Sequence, residues 1–194
     1  MNVATTTDQE SRAKRFKAAS SAAHERVDHA VMAAQPFANT ENYKRFLRFQ
    51  YRLHTGVEAL YADEALQPLL PELADRSRLP KLEQDFADLG ESLPTDVEEG
   101  TAQPLPEALG WLYVVEGSNM GAAFLAKEAA KIGLSDEFGA RHLAGHAEGR
   151  GLHWRRFIAA LDAVELKPEE ETRAENAAAA AFAHVYALVQ QELA

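Results

Sequence analysis

Between Gly110 and Lys131 the chain reads Gly-Trp-Leu-Tyr-Val-Val-Glu-Gly-Ser-Asn-Met-Gly-Ala-Ala-Phe-Leu-Ala-Lys-Glu-Ala-Ala-Lys, a run rich in residues that favour one long helix. Gly117 and Gly121 stand in its middle, where each costs about 1 kcal/mol relative to Ala. Residues four apart lie one above the other, so a full turn of one helix face carries no side chain. Two uses fit such a strip. Another helix can pack close against it, the commoner fate of an isolated glycine pair, or a flat ligand can lie on a backbone bent at its Gly and Ser residues. A membrane-spanning use is excluded, because Glu116, Lys127, Glu128 and Lys131 interrupt the apolar run.

The remaining segments suit the same architecture. Ala-rich helical stretches dominate, strand-like alternation is scarce, and Gly and Pro fall between apolar-periodic segments. The expected fold is all-α, a single domain over residues 11–194 preceded by a flexible polar tail at 1–10, which lacks the apolar core of a signal peptide. A formal charge of -10 argues against a nucleic-acid surface, and the absence of cysteine removes disulfides, thiolate metal sites and cysteine nucleophiles.

The first helix is expected from near Ser11 to about Ala34, stopped by Pro36. On its inner face Lys17, Ser21, His24 and Asp28 form one stripe. A carboxylate one turn beyond an imidazole can take the Nδ1 proton and leave Nε2 free for a metal; the plainer reading is a partly buried His beside a surface Asp. A second helix, capped by Thr40, has a wide apolar face with Gln50 and His54 at its polar edge, read as solvated or as facing a pocket. Pro68, Pro71 and Pro80 break the chain into shorter helices, where Arg76 and Arg78 are solvated by default. Residues 91–106 read as an exposed loop. Beyond the glycine helix, Gly133 is a stop and Ser135 an N-cap for a short helix to about Leu143. His142 and His146 have the spacing of a zincin pair, but Leu143 occupies the position that requires Glu. Helices are expected over 152–161 and from Pro168 to Leu193, the latter with an acidic first turn.

Taken together, His24-Glu25-Arg26-Val27-Asp28, the Gly110–Lys131 helix and the segment Phe138 through Leu161 resemble the bacterial haem oxygenases of iron acquisition, over nearly all of the chain after Glu10. The resemblance implies a helical bundle in which His24 binds haem iron on one face, with Asp28 behind it. The distal helix crosses the other face with Gly117, Ser118 and Gly121, leaving room for dioxygen. It implies that Lys17 and Tyr113 contact the propionates, a pairing that points to α-meso cleavage, and that Gln50, His54, Arg78 and His142 anchor a distal water network. Ala140 and Arg141 stand where mammalian-type enzymes place a distal Asp. Haem is then both substrate and cofactor, degraded with O2 and an external electron donor, a ferredoxin or flavin reductase, to biliverdin IXα, CO and Fe2+. The implied protein is a cytoplasmic monomer with no membrane or nucleic-acid partner. The alternative is a haem carrier, which His24 alone would serve, although a carrier has no need of an open oxygen side. A helical hydrolase of the thiaminase type would need a nucleophile that a chain without Cys does not offer.

Overall fold

The computed structural model describes residues 11–194, and among these the regular structure is helical: α1 Arg12–Ala33, α2 Thr40–Tyr61, α3 Leu79–Asp88, α4 Leu105–Lys131, α5 Arg150–Ala163 and α6 Pro168–Leu193, with short 3-10 turns at Ala74–Arg76 and Arg141–Leu143. Local chemistry sets most boundaries. The Ser11 hydroxyl accepts from the Lys14 amide, and at α2 the cap is Asn39 rather than Thr40, its side chain accepting from Asn42 at 2.9 Å. Pro106 occupies the first turn of α4, and Gly133, at φ 85°, ends it in the left-handed conformation that a side chain resists. At α6 the Glu170 carboxylate accepts from the Lys167 amide at 2.8 Å and, with Glu169 and Glu171, complements the helix dipole.

The segment after α4 departs from the expected short helix. Ser135 pairs back onto Phe138 and Gly139 in a tight turn, and its hydroxyl accepts from the Glu137 amide. Gly139 sits at φ 72°, which breaks the helix before one turn is complete.

Most of α6 packs between α1 and α4, and its Ala174, Ala177, Ala178 and Ala181 face inward, all buried. The short side chains let α4 approach closely. A Cβ added at Gly110 would stand 2.4 Å from the Ala174 carbonyl oxygen, so the close helix packing that spacing alone favoured for Gly117 and Gly121 occurs at Gly110 instead. The run 174–181 is therefore an interface rather than featureless helix. Arg12 ties the ends together: buried, it donates to the Val164 carbonyl at 2.7 Å and pairs with Glu171 at 2.7 Å. No helix among the described residues is long and apolar enough to cross a membrane.

Candidate haem site

The stripe Lys17, Ser21, His24 and Asp28 is exposed, not inward. Phe16, Ser20, Val27 and Val31 occupy the packed side of α1 instead, because apolar burial decides which face of the helix turns in. His24 leans on the Phe182 ring of α6, centroids 5.3 Å apart, and keeps 59% of its side chain accessible. Its Nε2, rather than the expected Nδ1, faces Asp28 at 3.4 Å; Asp28 is also exposed, so water competes for this contact.

Helices α1 and α4 meet where Phe16 sets its ring edge-on to Tyr113 at 5.2 Å. That contact brings the neighbour of Lys17 against Tyr113, which is half-buried and whose phenol is pushed up by desolvation. Two turns on along α1 is His24; one and two turns on along α4 are Gly117 and Gly121. Among the described residues the two glycines differ in cover, Gly117 lying against α5 and Gly121 open. A Cβ at Gly121 would meet nothing within 4 Å, and at Gly117 only the Trp154 ring at 3.5 Å. On the same side of α4 as Gly121, Met120 and Phe124 are large apolar side chains left 44% and 52% exposed. Bare backbone, exposed apolar side chains and an accessible imidazole are the features that a flat apolar ring carrying a metal requires of its site.

The residue just before the strip is polar and buried. Glu116 is 2% exposed; it accepts from the Tyr61 hydroxyl at 2.8 Å and from Arg76 at 2.9 Å. Arg76 also donates to the His153 carbonyl at 3.1 Å, so it is buried and paired where the sequence alone suggested a solvated cation. Ser118 turns its hydroxyl back to the Val115 carbonyl at 2.6 Å.

Arg78 likewise is not solvated, its guanidinium donating to the carbonyls of His142 and Ala144. His54 is 2% exposed, which overturns the solvated-edge reading, while Gln50 one turn earlier is half-buried. Burial, with the charges of Arg78 and His142 nearby, lowers the His54 pKa to about 3. Burial also lowers His142, against the pull of Asp85 at 2.8 Å from its Nδ1. Asp85, itself fully buried, accepts from the Arg141 and His142 amides as well. The neutral imidazoles leave His54 Nδ1 and His142 Nε2, together with Arg78 Nε, buried without a protein partner, the condition that ordered water relieves. His142 and His146 do not converge: the first is buried on Asp85, and the second is exposed and stacked on His153 at 4.3 Å.

Sequence reasoning did not find Arg76, Asp85 or Arg150, and read Glu116 only as a break in an apolar run. A lone charge directly after the apolar stretch Trp111–Val115 and next to Gly117 was the available signal.

The comparisons with known proteins agree over most of the chain. The sequence profile of the heme oxygenase family matches residues 10–191. Heme oxygenase PigA of Pseudomonas aeruginosa is 44% identical over 91% of this chain and 90% of its own length. A heme oxygenase of Xanthomonas campestris pv. campestris is 29% identical over 81% of this chain and 94% of its own. Among solved structures, the heme oxygenase of Neisseria meningitidis, described in NO- and CO-bound forms, superposes with a TM-score of 0.90 at 43% identity, covering 95% of this chain and 92% of that one. The chain belongs to the haem oxygenase family.

Proposed function

We propose that this protein cleaves haem, with O2 and electrons from an external donor, to biliverdin IXα, CO and Fe2+, and so releases iron in the cytoplasm. The observation that carries the reading is an accessible imidazole, His24 on α1, together with a strip of α4 without side chains, Gly117 to Gly121, open at Gly121. Haem is the substrate, and when bound it supplies the iron at which dioxygen is activated. The chain does the rest. His24 holds the iron from one side, and Asp28 orients the imidazole. Gly117 and Gly121 let the ring approach the helix backbone, and Ser118, by bonding to its own helix, keeps its hydroxyl out of the way. Lys17 and Tyr113, adjacent through Phe16, anchor the propionates and fix the rotation of the ring.

Protons reach the oxygen side through water held by Gln50, His54, Arg78 and His142. Both imidazoles are kept neutral by burial; with Nδ1–H of His142 given to Asp85, its Nε2 is left to accept from water, and His54 presents Nδ1. A ferredoxin or flavin reductase supplies the electrons, and the enzyme works as a monomer.

The testing experiment is an absorption spectrum of the protein with one equivalent of hemin, followed in air after addition of ascorbate and catalase. Decay of the Soret band with growth of a biliverdin band is the expected result. A Soret band that forms and persists would identify a carrier instead.

A further inference from the structure

The glycine strip is shaped from behind as well as by its own sequence. Arg150, the first residue of α5, sends Nη1 to the main-chain oxygen of Asn119 at 3.0 Å and Nη2 to the carbonyl of Leu143 in the 3-10 turn Arg141–Leu143. Asn119 lies midway between Gly117 and Gly121. A carbonyl inside a helix that accepts a bond from outside tilts away from the axis and lengthens its own helical bond, which curves the helix. Ser118 acts in the same direction, since back-bonding to a carbonyl of the preceding turn also bends a helix. Glu116, the residue before the strip, is pinned by Arg76 and Tyr61, so the strip is held at one end and pulled in its middle. The two acceptors of Arg150 belong to different elements. One planar guanidinium therefore sets a spacing between α4 and the 141–143 turn that neither element sets alone.

We propose that Arg150 is a positioning residue for the oxygen chemistry: by drawing the Asn119 carbonyl toward α5 it fixes how closely the Gly117–Gly121 backbone approaches the bound ring, and thereby which meso carbon is cleaved. The proposal rests on the haem oxygenase reading of the site. Arg150 acts only through the helix, by way of the Asn119 carbonyl. Its fork is required for the task, because a lysine ammonium carries the charge but not the paired, planar donors that reach two carbonyls at once.

Arg150→Met and Arg150→Lys, compared with the unaltered chain, test this in three ways. In the haem-free protein, amide hydrogen exchange across residues 117–123 rises in Arg150→Met, since a restraint on the local opening of that turn is lost. With hemin, affinity and Soret position are unchanged, because His24 is on another helix. In turnover, the biliverdin isomer distribution broadens and the cleavage rate falls by on the order of tenfold to a hundredfold, the scale produced by a displacement of about 1 Å. Arg150→Lys lies between Arg150→Met and the unaltered chain in exchange and isomer distribution. An unchanged isomer distribution in Arg150→Met overturns the proposal. So does a parallel loss of haem affinity and unfolding midpoint in both variants, which would make Arg150 a structural residue only. Failure of the unaltered chain to degrade haem would instead overturn the reading on which the proposal rests.

Discussion

Arg76 Nη1 stands 2.9 Å from Glu116 Oε2 with each side chain 2% exposed, so the bare strip of α4 begins one residue beyond a buried ion pair. Removing one partner of such a pair leaves a charge without compensation, at a cost of about 3–5 kcal/mol, whereas replacing both with apolar groups is often neutral. Arg76→Met alone is expected to destabilise the protein by that amount, and Arg76→Met with Glu116→Leu to recover a large part of it. Urea unfolding of the haem-free proteins measures both. If the double variant is as unstable as the single, the penalty does not come from the stranded carboxylate.

The glycines of α4 are expected to respond in opposite directions. Gly121→Ala adds a methyl where nothing lies within 4 Å, so the haem-free protein gains up to about 1 kcal/mol from helix propensity. The same methyl stands on the strip assigned to haem and should weaken hemin binding. Gly110→Ala places its methyl 2.4 Å from the Ala174 oxygen and 2.7 Å from the Ala178 nitrogen, an overlap that forces backbone shifts costing about 1–3 kcal/mol. Thermal midpoints of the haem-free variants should therefore rise for Gly121→Ala and fall for Gly110→Ala; the same sign for both would contradict the packing described.

What the sequence made legible follows from how local each feature is. The Pro168–Leu193 helix is readable because its acidic first turn and its apolar period lie within one segment. The spacing of His24 and of the Gly117 and Gly121 pair is visible along single helices, but by itself it favoured a surface His and helix packing, and their roles come from the family resemblance. Arg76, Arg150 and Asp85 are not readable, because the groups that justify their burial lie 40, 31 and 57 residues away in Glu116, Asn119 and His142. A charged residue read alone defaults to solvent, and only the fold supplies its partner. Ser135 misled for a related reason: its hydroxyl serves a turn as readily as a helix cap, and the positive φ of Gly139 decides between them.

Lys17 offers a test of how the ring is oriented. Its side chain is exposed, so Lys17→Ala should leave the unfolding midpoint within about 0.5 kcal/mol of the unaltered protein, as surface substitutions do. If Lys17 holds a propionate, the same substitution raises the hemin dissociation constant and lets the ring occupy a second rotation, which chromatography detects as a second biliverdin isomer. An unchanged affinity together with an unchanged isomer distribution would remove Lys17 from the site.

Acid should destabilise this fold through its buried imidazoles. The His54 pKa is lowered to about 3 by burial, while in the unfolded chain it titrates near 6.5, so unfolding takes up a proton between those values. A group whose folded pKa is depressed in this way, and whose charged form is the protonated one, contributes its full stability above about pH 6.5 and loses it as pH falls toward 3. Within that window each such proton makes stability drop by about 1.4 kcal/mol per pH unit. His142 is lowered as well, although Asp85 opposes the shift, so it adds to the slope in the same direction. His54→Gln removes one titration without changing the carboxylates, and the difference between its slope and that of the unaltered protein isolates the imidazole. Urea midpoints measured between about pH 6.5 and pH 4.5 should therefore fall less steeply for His54→Gln, by about one proton's worth of slope. Parallel slopes would mean that His54 is protonated in the folded protein, and a charged imidazole, with both nitrogens donating, could not pass a proton along a water chain as the neutral ring does.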